Sequence, residues 1–394
     1  MDPKTRVLKA LSHEEPDQVP LLAEGIDSAP ILKKYGGKDI ASLIGLMKWM
    51  QWMIGWRKVF AWLARRPSAM ALIGKGLVKL MKKVGYDTCP VPTALLLTKC
   101  AFPSAKEYVD EYGRKFIFSK IDSVGTEINV AFYEGGYFDT EDPEASYEKW
   151  GPLDPDHPGR AALYKAALKE AKTDIYVFPS LVGFLEGSWE SFGFPTFTKL
   201  LYKKPQFIDR VLRDRGDFSV ALAENLLDLG AETFLIYDDA GHKNGPFLSP
   251  KQYEKLIVPQ LKRVCDKIHS YDSKNKIILH SCGNVNKLID LFLKAGIDAL
   301  NPIEPGSGMD IFQLKRDYGD KLSFIGNVDP ISLLTHGTPD MVEAYVKRLM
   351  KEVAPGGGFI LASGHSITYS VKLENYEAML AAGRKYGKYP IHIE

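Results

Sequence analysis

The chain has little of several things that would narrow its function at once. Only four cysteines occur in 394 residues, at positions 89, 100, 265 and 282, and their spacing makes no disulfide framework. That usage fits a reducing compartment. No run of about 18 uncharged apolar residues occurs, which excludes a spanning helix of ordinary length. The start, Met1-Asp2-Pro3-Lys4-Thr5-Arg6, lacks the basic-then-apolar pattern of a secretory signal, so a cytoplasmic protein is expected. Net charge is small, +2 from 51 basic and 49 acidic residues, and gives nucleic acid no general electrostatic reason to bind. Neither an internal repeat nor a Gly-x-Gly-x-x-Gly turn after the first strand is found, which argues against a solenoid and a dinucleotide-binding fold.

What is present is apolar mass in alternating blocks. At 45% hydrophobic and 25% charged, the chain can bury a large core. Short β-rich runs stand at Ile175–Ser180, Thr233–Tyr237, Lys276–His280, Ala299–Ile303, Leu322–Val328 and Gly358–Ala362. Helical patterns separate them at Pro205–Leu229, Pro250–Ser270, Val285–Ala295 and Pro339–Val353. Two earlier runs, Val19–Ala23 and Tyr86–Val91, bring the strand count to eight. Strands separated by helices imply a parallel sheet, and eight units imply an α/β fold of the (β/α)8 TIM-barrel type, in one domain over residues 1–394. An open doubly wound sheet is the alternative. The triple glycine 356–358 lacks the Lys-Ser/Thr of a phosphate loop and reads as a tight turn at the barrel's far end.

Two regions depart from the alternation. Residues 37–84 form an N-terminal helical extension rich in tryptophan and basic residues, including Trp49, Trp52, Trp56 and Trp62. It reads as amphipathic helices over one barrel end, as a lid or docking surface, or as a membrane-surface element. Residues 100–140 alternate as in β-hairpins, for example Lys115-Phe116-Ile117-Phe118-Ser119, and predict a small inserted hairpin.

In a barrel, side chains at the C-terminal ends of strands face the mouth. Those ends carry Asp238 and Asp239 with His242 behind, His280 and Cys282, Asn301 and Glu304, Asn327 and Asp329, then His365. His280, Cys282, Glu304 and His365 offer nitrogen, thiolate and carboxylate ligands from neighbouring strand ends, a set that suits Zn²⁺. The bland alternative is a buried cysteine beside a hydrogen-bonded histidine. Adjacent residues on a strand point to opposite faces, so one of Asp238 and Asp239 is expected to face the site as a substrate hydrogen-bond acceptor or as an acid or base, and the alternative is an N-cap for the following turn. His242, Asn301, Asn327 and Asp329 are candidates for substrate contacts, and Asp329 also fits a cap after which Pro330 opens a helix.

These residues carry a resemblance. Tyr237-Asp238-Asp239, Leu248-Ser249-Pro250, His280-Ser281-Cys282-Gly283-Asn284, Ile325-Gly326-Asn327-Val328-Asp329, Ser363-Gly364-His365 and Leu373-Glu374-Asn375-Tyr376-Glu377-Ala378-Met379 resemble the uroporphyrinogen decarboxylase superfamily. The likeness is dense over residues 175–382 and thinner before. It implies one of two chemistries. The decarboxylases use an arginine-bearing motif near the first strand, whereas this chain has no arginine between Arg6 and Arg57. A substrate with many carboxylates needs cationic partners, so decarboxylation fits poorly unless Arg57, Arg65 or Arg66 replaces the motif. The other branch holds zinc-dependent methyltransferases that work with corrinoid (cobalamin) proteins, and its His-x-Cys motif is matched by His280-Ser281-Cys282. The ligand spacing is also similar to that of cobalamin-independent methionine synthase.

One departure stands out. His365 occupies the place where the resemblance implies a cysteine. Imidazole in place of thiolate makes zinc a stronger Lewis acid, which suits an oxygen ligand such as a methyl ether. The expected activity is therefore O-demethylation: methyl transfer from a small molecule, such as a methoxylated aromatic, to a corrinoid protein, with Asp238 or Asp239 assisting the leaving oxygen. Transfer from a methyl-corrinoid to a thiol or a pterin, divergent decarboxylation, and tetrapyrrole carriage are the alternatives. A homodimer is compatible with such a barrel.

Overall fold

A computed structural model describes residues 1–22, 25–37, 66–94, 99–104 and 106–393. The tryptophans at 49, 52, 56 and 62 lie outside the described residues. Twelve strands are described. β1 (Thr88–Val91) is followed by β2 (Glu107–Val109), β3 (Arg114–Ser123) and β4 (Thr126–Gly136). The second half supplies β5 (Tyr176–Val182), β6 (Thr233–Tyr237), β7 (Gly241–His242), β8 (Gly245–Pro246), β9 (Lys276–His280), β10 (Ala299–Asn301), β11 (Ser323–Val328) and β12 (Phe359–Ser363).

Seven strands form one parallel sheet in the order β1-β5-β6-β9-β10-β11-β12. Residues 19–22 close it. The Leu22 N–H donates to Leu361 O (2.9 Å), Leu361 N–H donates to Pro20 O (2.9 Å), and Asp87 N–H donates to Leu21 O (3.1 Å). The eighth segment thus lies between β12 and the start of β1, and the sheet curls into a (β/α)8 barrel. Closure covers both edge strands of the barrel sheet, β1 and β12.

The strands are apolar on both sides because both sides are covered. Tyr176 and Phe178 of β5, Leu235, Ile278, Ala299, Ile325 and Ile360 form an inner cluster with Val7, Ala10 and Leu11 of the helix Pro3–Leu11, which plugs the N-terminal end. Intervening residues such as Ile277, Leu279, Phe324 and Phe359 pack outward into the larger cluster under the helices. Period-two alternation then fixes what stands above the inner layer. Tyr237 follows Leu235, His280 follows Ile278, Asn301 follows Ala299 and Asn327 follows Ile325. The upper layer of the barrel is polar because these strand ends are polar.

Several expected boundaries shift for local reasons. The single helix expected over Pro250–Ser270 is two, Pro250–Leu256 and Val258–Tyr271, broken where Pro259 lacks an N–H. β10 stops at Asn301 rather than Ile303, because Pro302 cannot donate to the ladder. Within the 37–84 stretch, Pro67–Val84 is the outer helix leading to β1, and it packs against the helix Pro158–Ala171. Gly74 permits that approach, since a Cβ there would stand 2.5 Å from Leu163 O. At the far end, Gly357 (φ +74°) turns against the backbone of Glu14, where a Cβ would meet the carbonyl oxygen at 2.6 Å.

The insertion is a three-stranded antiparallel sheet, β2-β3-β4. Its long hairpin ends in a two-residue turn, Val124 (φ 49°) and Gly125 (φ 80°). The tip is tied to the barrel rim: Ser123 Oγ accepts from Ala29 N–H (2.9 Å) and donates to Tyr369 O (2.8 Å). Among the described residues no helix is long and apolar enough to cross a membrane.

Candidate metal centre

His280 stands at the top of β9, buried at 7% exposure, and its orientation is fixed from one side. Asn301 Nδ2 donates to Ile325 O (3.4 Å), which turns Oδ1 of the same amide towards His280 Nδ1 at 2.5 Å. An amide oxygen only accepts, so Nδ1 carries the proton, and in the neutral ring Nε2 is the nitrogen with the lone pair. That lone pair faces Cys282 Sγ, 3.4 Å away.

Cys282 lies beyond the strand, in a loop held by backbone donors. Cys282 N–H donates to Asp239 Oδ1 (2.7 Å), Gly283 N–H to Glu304 Oε2 (2.8 Å), and Asn284 N–H to His242 O (2.9 Å). Gly283 has φ +81°, and a Cβ on it would lie 2.3 Å from Gly241 C. Only glycine lets the loops after β6 and β9 touch in this way. The ligand atoms of Asp239, His280 and Cys282 lie within 4.8 Å of one another, the one such group found among the described residues. Glu304 and His365 are outside that tight group but line the same cleft as Cys282 and His242, about 340 Å³ in volume.

The two adjacent aspartates, just past the end of β6, point in opposite directions. Asp239 turns into the mouth. Burial raises its carboxyl above the ordinary range, opposed by the Cys282 N–H and the nearby His365. Asp238 points the other way and is fully buried. Its Oδ1 accepts from Leu185 N–H (2.9 Å) and Glu186 N–H (2.8 Å), capping the helix Leu185–Phe192. Burial pushes this carboxyl up to about 7. Gly183 makes room for it, since a Cβ there would overlap Asp238 Cβ at 2.1 Å.

The remaining candidates are committed to the barrel itself. Asn327 donates to Ile303 O (3.2 Å) and accepts from Tyr345 OH (3.0 Å). Asp329 Oδ1 caps the following turn through Ile331 N–H (2.8 Å) and Ser332 N–H (3.0 Å). Asn301, completely buried, serves His280 rather than the cleft. The structure therefore gathers Asp239, His280 and Cys282, places Glu304, His365 and His242 around them, and leaves Asp238, Asn301, Asn327 and Asp329 in supporting positions.

One group was not anticipated. Glu186 Oε2 accepts from Asp239 N–H (3.1 Å), and burial together with the Asp239 charge raises its carboxyl above the usual range. Behind it Arg114 joins Asp110 (2.7 Å) to Glu190 (3.1 Å), and burial pushes Glu190 up to about 8. The available signal was an acid pair at i, i+4 spacing directly after β5.

A family profile described as Uroporphyrinogen decarboxylase (URO-D) matches residues 117–386. The chain belongs to the uroporphyrinogen decarboxylase family. Its relatives include both kinds of enzyme. A uroporphyrinogen decarboxylase from Pseudoalteromonas translucida is 26% identical over 205 residues, 51% of this chain and 54% of that protein. A methylcobamide:CoM methyltransferase from Methanosarcina acetivorans is 28% identical over 187 residues, 47% of this chain and 51% of that protein. The chain thus spans about half the length of these curated relatives. A solved methyltransferase from Methanosarcina mazei shares the fold at a TM-score of 0.69 and 20% identity, covering 98% of this chain and 99% of that one.

Proposed function

We propose that the protein is a zinc-dependent methyltransferase that moves a methyl group from a small O-methyl compound, such as a methoxylated aromatic, to a corrinoid protein. The observation that carries this reading is the mixed nitrogen, sulfur and oxygen group of Asp239, His280 and Cys282 at the barrel mouth. Such a donor set fits Zn²⁺. Asp239, His280 and Cys282 would hold the ion, with Glu304 or His365 available to complete the set. Bound there, zinc supplies Lewis acidity towards an oxygen ligand.

The chain's own residues do the rest. Asn301 holds the His280 ring with Nε2 free to ligate, and the N–H of Gly283 holds Glu304 at the cleft edge. When the methyl–oxygen bond breaks, the electron pair stays on oxygen, which then takes up a proton. Glu186, with Oε2 engaged by Asp239 N–H, can carry that proton on Oε1. The corrinoid protein is the methyl acceptor and a transient partner at the mouth.

The cleft's composition supports methyl transfer over decarboxylation. Among the described residues Lys243 is the one lysine or arginine lining it, whereas a polycarboxylate needs several guanidinium partners. The kinship with methylcobamide:CoM methyltransferases favours one second reading, transfer from a methyl-corrinoid to a thiol. Zinc analysis after purification without chelators tests the reading, together with decarboxylation of uroporphyrinogen. One zinc per chain and no decarboxylation are expected, and a metal-free protein that decarboxylates would overturn it.

A further inference from the structure

Between the helix Pro205–Leu227 and the loop at residues 150–155 lies a cavity of about 320 Å³ that shares no lining residue with the metal cleft. Its walls are the rings of Tyr112, Phe138, Tyr147, Trp150 and Phe218. Such a volume is at the small end of ligand cavities, about 300–1,000 Å³.

Among the described residues one cation lines this apolar space. Arg215 is 4% exposed, and its Nη2 donates to Tyr112 O (3.3 Å) and Ser191 Oγ (2.9 Å). Its Nε has no hydrogen-bond partner, and neither has the buried hydroxyl of Tyr112 on the same cavity. The neighbouring guanidiniums are paired differently. Arg160 holds Glu111 at 2.7 Å, and Arg114 holds Asp110 and Glu190. Among the described residues no carboxylate lies within ion-pair distance of Arg215. A guanidinium stays protonated even when buried, so the charge persists; it lies 5.1 Å from the Tyr112 ring centroid but has no ion-pair partner among the described residues, and a buried charge so placed is costly.

The missing group must accept hydrogen bonds and carry negative charge. Three carboxylates line the cavity and limit how much: Glu111, already paired with Arg160, and two at the rim. Asp214 takes the Tyr147 hydroxyl (3.0 Å), Asp217 takes Arg263 (2.5 Å), and both are exposed. They disfavour a multiply charged anion such as phosphate. We propose that this cavity is a second ligand site, taking a small monocarboxylate with a flat apolar body. The carboxylate accepts from Arg215 and from the Tyr112 hydroxyl, and the body lies among the aromatic rings.

Isothermal titration of the full chain with benzoate tests this, with benzamide and inorganic phosphate as comparison probes. Benzoate is expected to bind once per chain, benzamide about 10-fold or more weakly, since one charge-assisted pair separates them. Tyr112→Phe should weaken benzoate roughly 3-fold to 10-fold while keeping the ring. Arg215→Gln should abolish binding, and Tyr112→Phe keeps the test valid if that variant does not fold. Cys282→Ala should leave the affinity unchanged, which separates this site from the metal cleft. Absence of saturable binding, equal affinity for benzamide, tighter binding of phosphate, unchanged affinity in Tyr112→Phe, or loss of binding in Cys282→Ala would each overturn the proposal.

Discussion

Asn301 Oδ1 lies 2.5 Å from His280 Nδ1, and this one contact decides which imidazole nitrogen faces Cys282. Asn301→Ala should free the ring and leave Nδ1–H buried without an acceptor. Outer partners of metal-bound histidines are worth roughly 10–100-fold in metal affinity. Competition against a zinc chelator should show a loss in that range with the far-ultraviolet circular dichroism unchanged. Unaltered affinity would mean that the amide does not set the tautomer.

Gly283 stands at φ +81° against the backbone of Gly241. A methyl group there has no flexible side chain to displace. Gly283→Ala should therefore force the His280–Asn284 loop out of place. The backbone strain alone is of order 1–3 kcal/mol, readable as a lower urea midpoint. Zinc content should fall with it, because Cys282 and the Glu304 contact share this loop.

Asp238 and Glu190 make stability depend on pH in one direction. Burial raises the folded values to about 7 and about 8, above about 3.9 and 4.3 in the unfolded chain. The native state then binds more protons than the unfolded state from about pH 4 upwards. Their contribution is fully present below the unfolded values and is lost as pH rises through 7 and 8. Between pH 5 and 8, urea unfolding of wild type should show declining stability. Asp238→Asn should remove part of that decline, on the order of a few kcal/mol. A slope identical in the variant would mean that Asp238 is ionised in the native state at pH 5.

Arg160 and Glu111 form a buried pair at 2.7 Å, with side chains 2% and 1% exposed. Removing one partner leaves the other charge in a dry interior, which costs about 3–5 kcal/mol. Glu111→Gln should thus lower stability markedly, while replacing both residues with apolar side chains of similar volume should recover much of the loss.

The barrel was legible because its strands obey one rule repeatedly. Apolar runs ending in polar residues, separated by helical periods, leave few architectures, and six of the expected strands match β5, β6 and β9 to β12 closely. The same rule explains why these strand ends converge on one mouth, while Cys282 and the two aspartates lie just past β9 and β6, where loop hydrogen bonds set their directions. What the sequence could not disclose were contacts made by loops far apart in the chain. Glu186 reaches Asp239 only because Asp238 caps its helix from the next strand. Arg114 reaches Glu190 across an insertion of its own. Asn327 and Asp329 have the chemistry of ligands, and the barrel backbone uses it.

The most direct measurement is the absorbance change when cob(I)alamin is mixed with a methoxylated aromatic and the zinc-loaded protein. Wild type should convert it to methylcobalamin, and His280→Ala and Cys282→Ala should each lose that conversion while remaining folded. Unchanged conversion in both variants, or none with any methyl ether in wild type, would contradict the assignment of this cluster to methyl transfer.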